Sequence, residues 1–259
     1  MDILFDDKTV VVTGAASGIG RSISTMFAAS GAHVCILDYD REAGQTVCEE
    51  IEGRGESCSF YFCDVANQED VHRTFQEITS ERSRIDILVN NAGIAHVGKL
   101  QDTSEEEFDR IYEVNVKGVY NCMHAVIEQM VRQGGGVILN MASVISSVGI
   151  EDRFAYSMSK GAVLTMTRSV AKDYIHDNIR CNCVSPARVH TPFVDGYLKD
   201  NYPGREEEMF EELSKTQPIG RMGQPDEVAS LILYLCSDRA AFITGTDYPI
   251  DGGFIRLNT

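Results

Sequence analysis

The sequence predicts an α/β fold: a doubly wound parallel sheet of about seven strands with helices on both faces. Short apolar runs rich in β-branched residues recur along the chain without strict alternation, which is typical of strands buried on both faces. Longer segments with helical spacing separate these runs. Because strand and helix alternate from one end of the chain to the other, the strands are expected to be parallel.

The predicted elements follow one another without a linker, a repeat or a low-complexity tract. The strand candidates are TVVVTG (9–14), HVCILD (33–38), SFYFCDV (59–65), DILVNNAG (86–93), GVILNMAS (136–143), IRCNCVS (179–185) and, as a seventh, TDYPIDGG (246–253). Helical spacing covers residues 21–31, 105–134 and 159–174. We therefore predict a single domain over residues 1–259. A polar, proline-punctuated insertion at about 193–225 is the candidate lid over a site.

Composition excludes several classes of partner. The formal net charge of −16 argues against nucleic acid and anionic membrane surfaces, which need clustered Lys and Arg. The chain has no apolar stretch long enough to span a bilayer and no basic leader before its first strand, so we expect a cytoplasmic protein. Its eight cysteines form no CxxC pair, and we expect buried, reduced thiols and no metal site.

A glycine-rich turn after the first strand predicts a dinucleotide site. Gly14, Gly18 and Gly20 lie between that strand and the next helix, where free backbone N–H groups favour a pyrophosphate. Their spacing is G-x-x-x-G-x-G, so a tight strand-to-helix turn remains the alternative. Asp38 ends the second strand and favours NAD over NADP, because a carboxylate accepts hydrogen bonds from ribose hydroxyls and repels a 2′-phosphate. The alternative for Asp38 is a helix cap, and Arg41 nearby leaves NADP open.

Tyr156 and Lys160 form a candidate proton-transfer pair. They are four residues apart in YSMSK and therefore share one face of a helix. A phenol with a pKa of about 10 is a poor base at neutral pH, and we expect the neighbouring ammonium to lower that pKa. Ser143, at the end of the preceding strand, is expected to donate a hydrogen bond to the substrate oxygen. Taken alone, each residue has a structural alternative, which for Ser143 is a helix cap.

Together these motifs resemble the classical short-chain dehydrogenase/reductase family, which has a Rossmann-type fold, over essentially the whole chain. The resemblance rests on the order and spacing of TGAASGIG (13–20), Asp64-Val65, Asn90-Asn91-Ala92-Gly93, Asn115, Ser143, Tyr156-x-x-x-Lys160, Ser185-Pro186, Thr191-Pro192 and Asp251-Gly252-Gly253. It implies an NAD-dependent oxidoreductase that moves a hydride between a nicotinamide and a secondary alcohol or ketone. It also implies a homotetramer built through the helices at 105–134 and 156–174.

The resemblance assigns a role to each matching position. Asn115 would hold a water that relays protons to Lys160, and Lys160 and Tyr156 would contact the nicotinamide ribose. The other residues implied to bind the cofactor are Gly14, Ser17, Gly18, Ile19, Gly20, Asp38, Asp64, Val65, Asn91, Ala92, Gly93, Pro186, Val189 and Thr191. One departure is Ala187-Arg188 after Pro186, where the family usually has Pro-Gly.

Three arginines direct the substrate hypothesis. Arg153, Arg188 and Arg205 lie near the catalytic helix, the cofactor segment and the candidate lid, and guanidinium groups suit carboxylates. This half of the chain is similar to the branch that oxidises short hydroxy acids and deoxy-sugar acids, such as a 2-keto-3-deoxy sugar acid. Surface pairing with the abundant acids is the alternative.

His96 and His190 are further candidate pocket residues, although loop histidines usually face solvent. Three alternative functions stay open. They are a sugar dehydrogenase acting on a neutral aldose such as L-fucose, a 3-oxoacyl-carrier reductase, and a dinucleotide-binding protein without activity. NADPH is the usual cofactor of the carrier reductases, so Asp38 argues against that alternative.

Overall fold

A computed structural model describes residues 3–257 of the chain. At its centre is a seven-stranded parallel sheet in the order β3-β2-β1-β4-β5-β6-β7. The strands are β1 (Thr9–Thr13), β2 (His33–Asp38), β3 (Ser57–Phe62), β4 (Ile87–Asn90), β5 (Gly136–Met141), β6 (Ile179–Pro186) and β7 (Asp247–Ile250). The doubly wound parallel sheet is therefore confirmed, including its seventh strand.

Ten helices flank and connect these strands within the described residues. They are α1 (Gly18–Ala29), α2 (Arg41–Glu52), α3 (Gln68–Arg82), α4 (Glu105–Tyr112), α5 (Gly118–Arg132), α6 (Phe154–Asp173), α7 (Pro192–Asn201), α8 (Glu206–Lys215), α9 (Pro225–Cys236) and α10 (Phe254–Leu257). None of them has the length and apolarity needed to cross a bilayer.

The helix boundaries differ from the predicted ones at three places. Helix α1 begins inside the glycine-rich turn, and α6 begins at Phe154, five residues before the predicted start. The predicted helix at 105–134 divides into α4, a π-helical segment at Glu113–Lys117, and α5. Hydrophobic spacing did not reveal this division because a wide turn inserts a single residue into a pattern that is helical on both sides of it.

Both faces of the sheet carry a hydrophobic core, because successive strand residues point to opposite sides. On one face, Val10 and Val12 pack with residues of α1, α2 and α9. On the other face, Val11 packs with residues of α3, α5 and α6. The strands β1, β2 and β4 are buried along their whole length, as expected for a sheet covered on both sides.

The order of the strands determines where a ligand can bind. Strand β1 pairs with β2 on one side and with β4 on the other. The sheet therefore extends through β2 and β3 to one side of β1 and through β4 to β7 to the other side. In open α/β sheets the crevice at this switch point, outside the carboxyl ends of the strands, holds the ligand. Thr13, Asp38, Asn90 and Pro186 all lie at or next to that edge.

The cysteines correct one prediction. Cys48 in α2 and Cys58 in β3 form a disulfide, with their Cα atoms 5.9 Å apart. The expectation that all eight thiols are reduced is therefore wrong for this pair. The spacing gave no warning, because the two residues meet only when α2 packs on β3. The other six cysteines are free and buried, as predicted.

Candidate active site

The glycine-rich turn is bound to the segment after β4 by a compact set of hydrogen bonds. The hydroxyl of Thr13 accepts the backbone N–H groups of Asn91 and Ala92 at 3.1 and 3.0 Å. In return, the Asn91 side chain donates to the carbonyls of Thr13 and Gly14 at 3.0 and 2.9 Å. Sequence reasoning gave Thr13 no role, although it precedes Gly14 in the motif.

Two glycines of the turn permit this close approach. Gly14 has a φ of +60°, and a Cβ added there would lie 2.8 Å from the Cα of Ala92. A Cβ on Gly20 would overlap the carbonyl of Gly14 and lie 2.5 Å from the Asn91 amide nitrogen. Thr191 also approaches this turn, because a Cβ on Gly18 would lie 3.4 Å from its methyl group.

The start of α1 fits an anionic group. Ser17 is the N-cap residue, yet its side chain caps no backbone N–H, and the first turn of the helix contains no acidic residue. The N–H groups at this helix end therefore have no side-chain cap, and the helix dipole favours a negative charge there. The glycine turn, its small residues and this helix end together fit a dinucleotide pyrophosphate.

Asp38 is buried at the end of β2 and also shapes the turn. Its two carboxylate oxygens accept the N–H groups of Ala16 at 2.9 Å and of Asp40 at 3.0 Å. The cap of α2 is Asp40, whose side chain accepts from Ala43, so the helix-cap alternative for Asp38 is wrong. Each carboxylate oxygen has a second lone pair for a ligand hydroxyl. The Arg41 guanidinium lies 3.8 Å from the centroid of the Phe62 ring.

Asp64 and Val65 follow β3 at the same edge. Asp64 is exposed and accepts the N–H of Ala66 at 3.0 Å. Val65 is buried, and its carbonyl accepts a 2.8 Å hydrogen bond from the side chain of Asn121. Gly118 makes room for it, because a Cβ there would lie 2.8 Å from a Val65 methyl group. Asn121 is thus a supporting residue that the sequence did not reveal.

Tyr156, Ser143 and Lys160 converge at the carboxyl ends of β5 and β6. The hydroxyl of Ser143 forms a hydrogen bond with Tyr156 and lies 3.4 Å from the carbonyl of Pro186. One turn further along α6, Lys160 donates to the carbonyl of Met141 at 2.7 Å. Its nitrogen is 5.7 Å from the centroid of the Tyr156 ring. The predicted constellation is therefore assembled.

The electrostatics of Tyr156 differ from the expectation. Burial raises the pKa of its phenol, and the hydrogen bond from Ser143 and the positive charge of Arg153 oppose that rise. Lys160 was expected to lower this pKa, but it does not contribute here. Burial lowers the pKa of Lys160 itself to about 8, and its ammonium is bound to the Met141 carbonyl.

Asn115 lies inside the π-helical segment and holds the loop that follows β4. Its side-chain oxygen accepts the N–H of Ile94, and its amide donates to the Ile94 carbonyl, both at 2.8 Å. The same amide donates to the hydroxyl of Ser159 at 3.0 Å. A Cβ on Gly93 would lie 3.3 Å from the Asn115 oxygen and 3.5 Å from the Lys160 nitrogen. Gly93, Asn115 and Lys160 are therefore neighbours. Ser159 belongs to the same cluster, and the sequence did not predict it.

The segment after β6 carries the other predicted cofactor residues. Val189 is buried and bridges Gly223 in parallel pairing. Thr191 is the N-cap residue of α7 and lies beside Gly18. Pro186, Val189 and Thr191 thus extend from Ser143 to the glycine-rich turn.

The three predicted arginines separate into two environments. Arg205 is exposed and forms a two-point ion pair with Glu208, at 2.8 and 2.9 Å, which is the surface pairing kept as the alternative. Arg153 and Arg188 have no carboxylate partner among residues 3–257. Arg153 donates to the carbonyl of Asp152 at 2.8 Å, and Arg188 to the hydroxyl of Thr216 at 3.0 Å.

Arg153 and Arg188 lie close enough to influence each other. Burial lowers the pKa of Arg188, and the charge of Arg153 lowers it further. Tyr197, on α7, interacts electrostatically with both arginines, and Tyr202 just after α7 forms a hydrogen bond with it. The chain thus gathers two unpaired cations and two phenols beside the catalytic helix. Neither tyrosine was predicted, because nothing in the sequence relates α7 to Arg153.

The two candidate histidines differ. His96 is buried, with its Nε2 atom 3.3 Å from the Glu107 carboxylate and its Nδ1 atom without a partner among the described residues. The alternative that it faces solvent is therefore wrong, and its role in the pocket stays a prediction. His190 is partly exposed and bonds Asp195 at 2.8 Å.

Comparison with known proteins gives consistent matches. A family sequence model described as Enoyl-(Acyl carrier protein) reductase matches residues 14–255. Cyclopentanol dehydrogenase of Comamonas testosteroni is 39% identical over 249 residues, which is 96% of this chain and 97% of that one. The 3-oxoacyl-[acyl-carrier-protein] reductase FabG of Thermotoga maritima is 36% identical over 250 residues, with 96% and 98% covered.

Solved structures match over the same length. A putative short-chain dehydrogenase/reductase from Burkholderia xenovorans superimposes with a TM-score of 0.93 at 32% identity, covering 98% of both chains. The aldohexose dehydrogenase of Thermoplasma acidophilum superimposes with a TM-score of 0.88 at 37% identity, covering 98% of this chain and 96% of that one. Fold and sequence therefore agree along nearly the whole chain.

Proposed function

This chain belongs to the classical short-chain dehydrogenase/reductase family of oxidoreductases, and on that premise we propose that it is an NAD-dependent dehydrogenase of a carboxylate-bearing secondary alcohol. The observation that carries the proposal is the contact between Ser143 and Tyr156, with Lys160 one turn away, at the sheet edge that also holds the glycine-rich turn. Members of the family bind a nicotinamide dinucleotide and act on alcohol or ketone groups.

Proton transfer is the task of Tyr156. The bound nicotinamide supplies the hydride-transfer chemistry. Tyr156 takes the hydroxyl proton of the substrate during oxidation and returns it to the carbonyl oxygen during reduction, and Ser143 donates a hydrogen bond to that same oxygen. Lys160 and Tyr156 would hold the nicotinamide ribose, and Asn115 fixes the loop around Gly93 and Ile94. A water held at Asn115 would relay protons to Lys160.

NAD is the preferred cofactor in this proposal. The buried carboxylate of Asp38 suits two ribose hydroxyls and repels a 2′-phosphate. The Arg41 guanidinium packs against the Phe62 ring and stays charged, so the preference for NAD rests on Asp38 alone. Titration of the protein with both dinucleotides tests this preference, and equal affinity for NADPH would contradict it.

A carboxylate on the substrate is supported by the two unpaired arginines. The chain has 39 acidic residues, yet within residues 3–257 neither Arg153 nor Arg188 has a carboxylate partner. Two neighbouring, partly buried guanidinium groups repel each other, and a substrate carboxylate would relieve that repulsion. The substrate class is therefore a hydroxy acid or sugar acid, such as a 2-keto-3-deoxy sugar acid. His96 contributes to the pocket wall, whereas Arg205 is left out because Glu208 binds it.

The alternatives have specific support. The likeness to an aldohexose dehydrogenase favours a neutral aldose such as L-fucose as the second candidate substrate. The likeness to a 3-oxoacyl carrier reductase favours that reaction less, because Asp38 opposes NADPH. A protein without activity would have no use for the assembled Ser143, Tyr156 and Lys160.

The Tyr156→Phe variant tests the catalytic assignment. We expect kcat to fall by about 100- to 10,000-fold, the usual contribution of a general acid or base. Because burial raises the pKa of Tyr156, oxidation by the wild-type protein should accelerate as pH rises through the alkaline range. Tyr234→Phe on α9 is the control and should behave as wild type. A Tyr156→Phe variant that keeps both its rate and its pH profile would refute the assignment.

The Arg188→Ala variant tests the substrate class. In a screen that follows NADH absorbance over hydroxy acids, sugar acids, sugars and polyols, the variant should raise KM for an acid substrate by roughly tenfold to a hundredfold. KM for a neutral alcohol should stay nearly constant. Arg205→Ala is the matched control, since its guanidinium is already paired. Equal effects of Arg188→Ala on acid and neutral substrates would leave the neutral aldose as the better hypothesis.

The wider setting follows from the same premise. We propose a cytoplasmic homotetramer that binds a small-molecule substrate and interacts with neither nucleic acid nor membranes. Family resemblance supports the tetramer through α4, α5 and α6, and the charge of −16 opposes polyanionic partners. Segment 193–225, which contains α7 and α8, serves as the substrate lid. Sedimentation or light scattering measures the oligomeric state directly.

A further inference from the structure

A second cavity lies beneath the loop that joins α8 to α9. Its volume is about 200 Å³, and Ser143, Tyr156 and Lys160 do not line it. Four segments of the chain contribute its walls: residues 188–189, 217–223, 227–228 and 250–252. It is therefore separate from the proton-transfer site, although both include the neighbourhood of Arg188.

The backbone holds the walls of this cavity together. Gly223 donates to the carbonyl of Arg188 and accepts from the N–H of His190, both at 2.9 Å, and Ile219 donates to the carbonyl of Gly252 at 3.1 Å. Gly252 has a φ of +57°, and a Cβ there would lie 2.6 Å from a methyl group of Ile219. Backbone hydrogen bonds and close packing therefore fix the shape of the cavity.

Most charged groups in the cavity wall already have partners. Arg221 binds Glu227 through two contacts of 2.7 Å each, and Glu227 also accepts the N–H of Gln224. The carboxylate of Asp251 accepts the N–H groups of Gly253 and Ile255. Arg221, Glu227 and Asp251 therefore stabilise the cavity wall and have few free hydrogen-bonding positions for a ligand.

Two groups in the wall are left without a full set of partners. Gln217 is only 2% exposed, and its Nε2 atom donates to the Thr216 hydroxyl at 2.9 Å, whereas its Oε1 atom has no partner among the described residues. Arg188 donates to the same hydroxyl through Nε and has no carboxylate partner. A buried amide oxygen without a hydrogen-bond donor destabilises the folded protein. A ligand that donates a hydrogen bond to this oxygen would therefore be stabilised in the cavity.

We propose that this cavity is a second binding site, specific for a small hydroxylated carboxylate. The carboxylate accepts hydrogen bonds from the Arg188 guanidinium, and a hydroxyl group donates to the Oε1 atom of Gln217. The volume equals that of roughly seven water molecules at about 30 Å³ each, which suits a chain of a few carbons. The proposal goes beyond the dehydrogenase reaction, although it shares Arg188 with the substrate-carboxylate site proposed above.

Calorimetric titration with L-threonate, in the absence of dinucleotide, tests the site. Propionate lacks the hydroxyl groups and glycerol lacks the carboxylate, so both should bind at least about tenfold more weakly. Gln217→Leu should weaken threonate binding by at least about tenfold, whereas Gln76→Leu, an exposed glutamine of α3, should leave it unchanged. Absence of threonate binding to the wild-type protein would overturn the proposal.

Two further variants separate this cavity from the substrate site. Arg153→Ala should keep threonate binding at the cavity, while Gln217→Leu should keep KM and kcat with the dehydrogenase substrate. If Arg153→Ala abolishes binding and Gln217→Leu preserves it, threonate occupies only the substrate mouth, and the second site is refuted while the dehydrogenase proposal stands. Should Gln217→Leu fail to fold, Gln217→Glu replaces it: its carboxylate repels the probe, and unchanged affinity in that variant also refutes the site.

Discussion

The two ends of the site are built by different means. At the nucleotide end, Thr13, Asp38 and Asn91 hydrogen-bond the backbone of the glycine-rich turn, and glycines allow segments to approach closely. At the substrate end, Arg188 has no carboxylate partner among the described residues, and in the adjoining cavity the Oε1 atom of Gln217 has no partner among them either. Hydrogen bonds within the chain fix the backbone shape of the first end, whereas side chains at the second end have open hydrogen-bonding capacity.

This difference indicates where substitutions act. At the nucleotide end, the backbone forms the binding surface, so a change in shape disturbs both folding and cofactor binding. At the substrate end, side chains form the surface, so substitutions there should change the preferred ligand and leave the fold intact. Each end can be tested with a substitution whose effect the other end would not show.

A glycine-to-alanine pair should show the largest contrast. Gly20→Ala puts a Cβ against the carbonyl of Gly14 and the amide of Asn91, so we expect a loss of about 3 kcal/mol in the free energy of unfolding. Affinity for NAD should fall at least about tenfold. Gly196→Ala in α7 meets no atom within 4 Å and should raise that free energy by up to about 1 kcal/mol, as expected inside a helix.

Urea unfolding and NAD titration of both variants provide the measurement. Equal stability of Gly20→Ala and wild type would mean that the turn can shift to accept a side chain. Such a result would contradict the conclusion that the backbone forms the binding surface at the nucleotide end and side chains form it at the substrate end.

The disulfide sharpens the comparison, because it belongs to the nucleotide half. Closing the short loop from Cys48 to Cys58 restricts the unfolded chain by about 3 kcal/mol on the chain-entropy account. Reduction should therefore lower Tm by roughly 5 to 10 °C, measured by calorimetry with and without a phosphine reductant. The double variant Cys48→Ala, Cys58→Ala should be insensitive to the reductant. A wild-type Tm that is equally insensitive would contradict a stabilising disulfide.

The smallest effect is expected from an ion pair at the substrate end. The hydrogen bond from Arg221, with one from the Gln224 backbone, lowers the pKa of Glu227 to about 2. A depressed carboxyl pKa stabilises the fold above the unfolded value of about 4.5, and that contribution fades as pH falls towards 2. Because the pair is exposed to solvent, Glu227→Gln should cost less than about 1 kcal/mol at pH 7.

Urea unfolding at pH 7 and pH 3 measures this effect, and the difference between variant and wild type should shrink at the lower pH. A cost of several kcal/mol at pH 7 would show that the substrate end is as tightly constrained as the nucleotide end.

The sequence predicted the positions of the glycine-rich turn and of Asp38 in the fold well because their determinants are local. Gly14 and Gly20 stand beside a buried strand, and Asp38 ends the next one, so period and spacing were sufficient to bring them together. Tyr156 and Lys160 share a helix face for the same reason. The fold followed from the regular alternation of buried strands and helices, which a single sequence displays directly.

The substrate end was predicted less well because its contacts join distant segments. Arg205 is the exception, because its partner Glu208 lies one helical turn away and surface pairing was kept as the alternative. The burial of His96 and the approach of Tyr197 to two arginines depend on how elements pack, as does the pairing of Cys48 with Cys58 in the nucleotide half. None of these contacts has a signature in local spacing.

The wide turn at Glu113–Lys117 makes chain length itself a constraint. Removing one residue there would restore regular α-helix, but it would rotate one flank against the other by about 100°. Either Asn115 would leave Ile94 and Ser159, or the face of α5 that carries Val119 and Val126 would leave the core. A deletion that improves the helix would therefore disable the enzyme, so this segment should tolerate substitutions more readily than changes in length.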